Sequence, residues 1–343
     1  MSTIGKKRKR SSSHLRRNHE RIQKLEGLQG EEMGDGAFGY VFTIIGHPGK
    51  AMKVVSFRSP DDEVDHGAMV SFTIECSIAL KMMKSQIPGV VSNPWEPEVT
   101  YDEYGVPLRG YLFMSREECD LSHRVHRMGR LNYLEINIVL EQCLNTLVSL
   151  EKEEIAHFDI KPKNILVSGS GEGIISHVCD FGLGHLVIGP TILDKIVTTR
   201  WYRPPDAYNT GQAINPYKVD IYALGATILE LVCDHPLSEE VFIHYGKRVR
   251  MKRHEECADL YYKNVLLTET NLPIVLNRMM EECVLQASED SEKGHLRMIF
   301  DLLMKMMSFD PNDRPTAEKA LMHAIFNTDD NESPKGVNEL RVQ

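Results

Sequence analysis

The chain has 343 residues and a formal net charge of −9, with 42% hydrophobic and 26% charged residues. At about 150 residues per domain, that length suits two packed units and a tail, and the composition can bury a core, so a chain disordered throughout is excluded. No apolar run approaches the ~20 residues needed to cross a bilayer, which excludes an integral membrane protein.

Charge is unevenly placed. Residues 1–24 hold nine Lys or Arg and one acid, a net +8, so the remainder carries −17. A chain-wide nucleic-acid footprint is therefore absent. The charged N-terminus has no apolar stretch after it and does not read as a secretory signal. Lys6-Lys-Arg-Lys-Arg10, followed by Ser11-Ser-Ser13, reads either as an import address for a nuclear import receptor or as a solvated arm that touches polyanions weakly. The nucleus or the cytoplasm is the expected compartment. Seven cysteines show no CxxC or CxxH spacing and read as buried small hydrophobes, not as a disulfide framework or zinc site.

Residues 1–26 lack a spaced apolar pattern and read as a basic, disordered arm. From 27 to 58, Gly-rich turns punctuate β-rich runs. Tyr40–Ile45 is one strand, Gly46-His-Pro-Gly49 a turn, and Lys50–Phe57 the next strand. Ser71–Ser85 has Ile74, Ile78 and Met82 at helical spacing. Residues 86–110 hold four prolines and read as loops around short strands; Gly110–Met114 is a further apolar run. After Asp120 the character becomes helical. Tyr133–Lys152 carries Ile136, Leu140, Leu144, Leu147 and Leu150 as a stripe. Short β pieces fill 155–179, a loop fills 183–200, and Asp220–Cys233 reads as a helix buried on most sides. Residues 239–296 are polar with weak periodicity. Leu296–Ser308 and Thr316–Phe326 are the last helices, and 328–343 is a polar tail.

Gly34-Asp35-Gly36-Ala37-Phe38-Gly39 matches GxGxxG. A dinucleotide-binding version needs a helix to begin inside the motif. Here the β-rich run from Tyr40 and Val41 follows, so the segment is a hairpin whose glycines let backbone N–H groups approach phosphates. A Cβ at 34, 36 or 39 would hinder that approach. An ordinary Gly-rich hairpin has the same pattern. Lys53 lies on the next strand, on the same face as Ala51. A lysine in such a strand usually points to solvent; under a phosphate-binding hairpin it can pair with phosphates instead. It then needs an orienting acid, and Glu75 on the helix is the best placed.

His157-Phe-Asp-Ile-Lys-Pro-Lys-Asn164 packs polar groups into eight residues after a long helix, and Asp180-Phe-Gly182 follows. Phosphoryl transfer needs an orienter for a hydroxyl, hard oxygens for a divalent metal and positive charge on the moving group. Asp159 can accept the hydroxyl proton, Lys161 can reach the γ-phosphate, and Asn164 with Asp180 can hold Mg²⁺. Each has an ordinary alternative as a turn, cap or loop residue.

The ordered set GxGxxGxV (34–41), AxK (51–53), HxDxKxxN (157–164) and DFG (180–182) resembles the eukaryotic protein kinase family. The resemblance implies an α+β bilobal fold over 27–327, with a small β-rich lobe (27–115) and a larger helical lobe (116–327). ATP and Mg²⁺ would lie between the lobes and a protein Ser or Thr would be the substrate. It also implies that Met33, Val41 and Ala51 cover the adenine, that Leu166 lies beneath it, that Met114 backs the pocket and that Ser115–Glu117 is the hinge. Lys161 resembles the lysine of Ser/Thr kinases. Thr198-Thr-Arg-Trp-Tyr-Arg-Pro-Pro-Asp206 resembles the substrate-docking segment of the CMGC group, with Arg203 its hallmark. By the same likeness Thr199 bridges Asp159 and Lys161, Asp206 pairs with Arg314, and Asp220 ties the catalytic loop to the buried helix. The 239–296 stretch fits the group's insertion.

Two departures stand out. Phe158 replaces the arginine that grips a phosphorylated activation loop, as in the branch holding the LAMMER and dual-specificity tyrosine-regulated kinases. The segment 183–200 has no Tyr or Ser, so activity without loop phosphorylation is expected. Pro204-Pro-Asp206 replaces the family's Ala-Pro-Glu. A scaffold without turnover is the alternative, although such chains usually lose the equivalents of Lys53, Asp159 or Asp180, which this one keeps.

Overall fold

The structure is a computed structural model that describes residues 12–36, 39–59, 61–193, 198–237 and 262–326. Extended, β-branched segments separated by tight turns build the first half. Strands β1 (Gln29–Gly36), β2 (Gly39–Ile44), β3 (His47–Ser56), β4 (Glu98–Tyr101) and β5 (Pro107–Ser115) form one antiparallel sheet in the order β1-β2-β3-β5-β4. The β2–β3 turn is shorter than the sequence suggested. It uses Ile45 and Gly46, with Gly46 at φ +79°, and β3 restarts at His47. Pro48 is tolerated because the register slips there and residues 48–50 have no β2 partner. Helix α2 (His66–Ser85) lies beside the sheet, capped by the Asp65 carboxylate accepting from Ala68 N.

The 1–26 arm is not disordered throughout. Ser12–Glu26 forms helix α1, while 1–11, with the Lys6–Arg10 run, lies outside the described residues. Leu25 is buried in a cluster with Ile44, Met52, Val54, Tyr111 and Phe113 on the outer sheet face. Arg21 meets Glu98 at 2.5 Å, Glu26 meets Arg109 at 2.7 Å, and Asn18 donates to the Tyr101 carbonyl. Among the helix residues whose side chains are described, Ile22 and Leu25 turn apolar surface inward, too sparse a stripe to stand out among so many charges.

The second half is helical. Strand β6 (Cys119–Asp120) leads into α3 (Leu121–Met128) and α4 (Tyr133–Lys152), which starts in a reciprocal Asn132–Glu135 capping box. Strands β7 (Ile155–Ala156), β8 (Ile165–Ser168) and β9 (Ile175–Val178) come next; β6, β8 and β9 pair in the order β6-β8-β9. β10 (His185–Leu186) pairs with β7, and β11 (Thr191–Ile192) pairs with β12 (Ala213–Ile214). Helix α5 (Pro216–Cys233) has the Asn215 side chain as cap and Pro216 in its first turn, and is buried along most of its length.

The polar stretch 239–296 contains more helix than its pattern suggested. Residues 238–261 lie outside the described set, but α6 (Asn271–Gln286) buries Leu272, Val275, Leu276 and Met279. Helix α7 (Asp290–Met306) starts six residues before the apolar run, because its first turn is charged. Helix α8 (Ala317–Ala320) is a single turn. One continuous core joins α2, α4, α5, α6 and α7. The 328–343 tail lies outside the described residues. The fold is thus α+β, with the sheet in the first half and the helices in the second.

Candidate active site

The pleat of the sheet sorts the predicted nucleotide residues into two faces. Val41 opposes Lys53, Lys53 opposes Leu112, and Ala51 opposes Met114. Opposed residues share a face, so Val41, Ala51, Lys53 and Met114 look the same way. Tyr40 opposes Val54, whose side chain belongs to the outer cluster under α1. The Tyr40 side chain therefore faces away from the cleft, so only its backbone is left to approach a cofactor there. Met33 is the extra residue of a bulge where β1 slips against β2, and it is exposed. Gly39 has a different purpose from the one inferred for it. A Cβ there would lie 2.3 Å from the Val54 carbonyl oxygen, so glycine is required by the close approach of β3. At Gly34 a Cβ would meet nothing within 4 Å. Asp35 and Gly36 close the β1–β2 pairing against Tyr40 and Gly39; Ala37 and Phe38 lie outside the described residues.

Lys53 is buried and held by two carboxylates. Its Nζ donates to Glu75 Oε2 at 2.8 Å, to Glu75 Oε1 at 3.0 Å and to Asp180 Oδ1 at 2.8 Å. Burial pushes the ammonium down, but the Glu75 and Asp180 charges overcome it and hold its pKa above the ordinary value. Burial likewise pushes the Asp180 carboxyl up, and Lys53 reverses this to hold it below the usual range. Asp180 sits at φ +64°, a left-handed conformation that a non-glycine residue adopts at a cost. Behind it a small pocket is lined by Glu75, Leu112, Met114, Cys179, Asp180 and Phe181. Met114 thus backs the cleft as expected. Leu166, on β8, is half-buried, and the chain crosses from β5 to β6 through residues 116–118.

The catalytic loop is fixed by short bonds. Lys161 Nζ donates to Asp159 Oδ2 at 2.6 Å and to Thr199 Oγ1 at 3.0 Å, while Thr199 donates to Asp159 Oδ1 at 2.5 Å. The Asn164 amide nitrogen donates to the Asp159 carbonyl at 2.8 Å and to Asp159 Oδ2 at 3.0 Å. That orientation leaves the amide oxygen for an outside ligand. Asp220, fully within the fold, accepts from His157 N at 2.7 Å and Phe158 N at 2.8 Å. Thr199 and Asp220 therefore occupy the relations that the resemblance implied. Downstream, Arg314 meets Asp206 at 2.6 Å and donates to three backbone carbonyls, those of Ser308, Lys218 and Phe309. Arg203 donates to the Thr198 hydroxyl at 2.9 Å and to its carbonyl at 2.5 Å.

Three further residues belong to the site; His157 stood in the HxDxKxxN motif with no role assigned, and Ser71 gave no sign in the sequence. His157 is fully buried: its Nδ1 accepts from Asp159 N at 3.1 Å, so its Nε2–H donates to the Cys179 carbonyl at 3.0 Å. Its ring lies 4.6 Å from that of Phe181. Ser71, one turn before Glu75, donates to the Gly182 carbonyl at 2.8 Å. Phe158 sits at φ +62° and is buried with Ala156, Leu193, Ala207 and Val219. Only its departure from the family arginine marked it.

Asn164 and Asp180 offer an amide and a carboxylate oxygen, hard donors that suit Mg²⁺. Among the described residues no cluster of three or more His, Cys, Asp or Glu could hold a metal. That fits a cation shared with phosphate oxygens and water, which is how Mg²⁺ is usually bound. Lys53 supplies the cation for phosphates on the same side. The donor set therefore fits a Mg²⁺–nucleotide.

A family model described as "Protein kinase domain" matches residues 28–326. Among curated relatives, "Cyclin-dependent kinase-like 2" of Pongo abelii is 30% identical over 212 residues, which cover 58% of this chain and 39% of the relative. "Cyclin-dependent kinase E-1" of Arabidopsis thaliana is 31% identical over 247 residues, 64% of this chain and 50% of the relative. "Mitogen-activated protein kinase 10" of Oryza sativa subsp. japonica is 25% identical over 307 residues, 86% of this chain and 47% of the relative. The chain thus spans two fifths to a half of the length of these relatives. With the family model covering most of the sequence and the motif residues assembled in one cleft, the chain belongs to the eukaryotic serine/threonine protein kinase family, CMGC type.

Proposed function

We propose that this protein is a serine/threonine kinase that moves the γ-phosphoryl group of ATP to protein hydroxyls without needing a phosphorylated activation loop. The observation that carries the reading is Lys53 paired with Glu75, the ion pair a catalytically competent kinase requires, with Asp180 brought to the same ammonium. Bound ATP with Mg²⁺ would supply the phosphoryl group and the metal charge that Asn164 and Asp180 hold in place. Lys53 orients the phosphates, and Glu75 orients Lys53. Asp159 takes the proton of the substrate hydroxyl. Both its oxygens already accept bonds, from Thr199 and from Lys161 with Asn164, which fixes its rotamer and leaves lone pairs for the hydroxyl. Lys161 places positive charge beside the moving group.

Phe158 supports independence from loop phosphorylation. Where a phosphate would need a cation, the loop residues Leu183, Val187 and Leu193 join an apolar cluster around this phenyl ring. The β7–β10 and β11–β12 pairs add backbone bonds to the loop at residues 185–186 and 191–192. The Lys6–Arg10 run supports a nuclear location, read out by imaging a tagged chain with and without residues 1–11.

The test is incubation with labelled ATP, Mg²⁺ and a basic protein, before and after phosphatase treatment, with Asp159→Ala as control. Equal label before and after treatment, absent in the control, is expected. Label lost with phosphatase removes the independence claim. No label from the wild type leaves the scaffold reading.

A further inference from the structure

Away from the cleft, two half-buried thiols meet. Cys233 is the last residue of α5, and Cys283 lies in the last turn of α6. Their sulfurs are 3.5 Å apart. Among the described residues no other two cysteine sulfurs come this close; Cys143, for example, has a serine hydroxyl as its neighbour. The two residues are 50 apart in sequence, so chance adjacency along the chain does not explain the pair.

A disulfide bond is about 2.05 Å long, so the sulfurs need to close by roughly 1.5 Å, a distance that side-chain rotation covers. Cys233 ends α5 and Cys283 lies in the last turn of α6, where the backbone is less constrained by further turns. The groups around the pair are also unequal. The two thiols share a hydrogen bond, and this bond, with burial opposing and Arg130 assisting, holds the Cys283 thiol below its ordinary value. The same bond and burial push Cys233 up. Arg130 is fixed beside the pair by its 2.8 Å bond to Asp234, the residue that caps α5.

We propose that Cys233 and Cys283 are an oxidant-sensitive dithiol, a modification site at which hydroperoxides install a disulfide tying the end of α5 to α6. The Cys283 thiolate attacks one oxygen of hydrogen peroxide. The O–O bond breaks, hydroxide leaves, and Cys283 becomes a sulfenic acid. The Cys233 sulfur then attacks the Cys283 sulfur. The S–O bond breaks, and the departing hydroxide with the Cys233 proton forms water. Two thiols lose two electrons and two protons, and one peroxide becomes two waters. A dithiol reductant reverses the step by exchange. The cross-link closes residues 234–282 into a loop and so limits the unfolded chain.

The full chain, reduced and freed of reductant, is treated with a slight excess of hydrogen peroxide, blocked with iodoacetamide and digested without reduction. The expected product is a peptide pair joined through Cys233 and Cys283, two hydrogens lighter than its parts, with the other five of the seven cysteines alkylated. The oxidised protein should melt roughly 5–10 °C higher, a rise that dithiothreitol removes. Cys283→Ser should leave Cys233 alkylated and show no rise, with its own melting curve reporting whether it folds. Should that variant fail to fold, the wild-type peptide map decides alone. Recovery of both cysteines alkylated after peroxide, or of either joined to a different cysteine, overturns the proposal. None of these readouts depends on kinase activity.

Discussion

Ser71 Oγ donates to the carbonyl of Gly182 at 2.8 Å, and the bond is buried. Ser71 and Glu75 are one turn apart on the same face of α2. One helix therefore positions both Lys53, through Glu75, and Gly182, two residues after Asp180. Replacing Ser71 by Ala leaves a buried carbonyl unpaired, worth about 1 kcal/mol, or roughly a fivefold fall in rate. We expect that fall in kcat, with KM for the protein substrate unchanged. Ser71→Thr keeps the hydroxyl and should recover most of it. Equal loss in both variants would assign the position to packing alone.

Phe158 should be a stability residue as much as a regulatory one. Truncation to Ala removes a buried phenyl ring and should cost about 3 kcal/mol, read as a lower urea midpoint. Phe158→Arg buries a cation with no phosphate to meet and should cost at least as much. Activity lost in the arginine variant should not return on raising ATP, because the defect lies in the loop. An arginine variant as stable as the wild type would show that the apolar cluster does not hold the segment.

Local signals carried the chemistry of the cleft, and long-range packing escaped them. Lys53, Asp159, Asn164 and Asp180 stand in short motifs, so their spacing was legible before any fold was known. Ser71 was not, because its partner lies 111 positions away and a serine on a helix has no spacing signature. The α1 helix was missed because three widely spaced apolar residues, Leu15, Ile22 and Leu25, make a weak stripe among charges. The motif names Tyr40 and Val41 as neighbours, whereas the strand sends their side chains to opposite faces, a sorting that spacing alone does not show. Helix α4 was legible to the residue, since its stripe runs its whole length and a capping box marks its start.

Asp220 gives a pH signature. Burial raises its carboxyl to about 6, against the lowering effect of His157 and of the two backbone N–H bonds. The folded-state value stands above the unfolded one, so the native chain holds this proton more tightly. Stability linked to Asp220 is therefore greatest below about pH 4 and is lost as pH rises through about 6, by about 3 kcal/mol for a shift near two pKa units. Asp220→Asn has no such proton. The difference in urea midpoint between the wild type and this variant should shrink or reverse between pH 4 and pH 7.5. Parallel curves across that range would remove the titration of Asp220 from the account.

Arg203 should select the substrate residue immediately after the target hydroxyl. Its guanidinium takes the Thr198 carbonyl at 2.5 Å and stacks over Tyr208 at 4.8 Å, so that carbonyl is already occupied as an acceptor. A substrate N–H would have to compete with the guanidinium for that carbonyl, whereas proline has no N–H to place. An unpaired donor costs about 1–3 kcal/mol, so peptides with proline after the phosphorylated residue should react roughly 5- to 100-fold better than their alanine counterparts. Arg203→Ala frees the carbonyl and should shrink that ratio by raising the alanine peptide, with the proline peptide changed less. A peptide array probed with both proteins reads this directly. An unchanged ratio in the variant would mean that the guanidinium braces the segment without choosing the substrate.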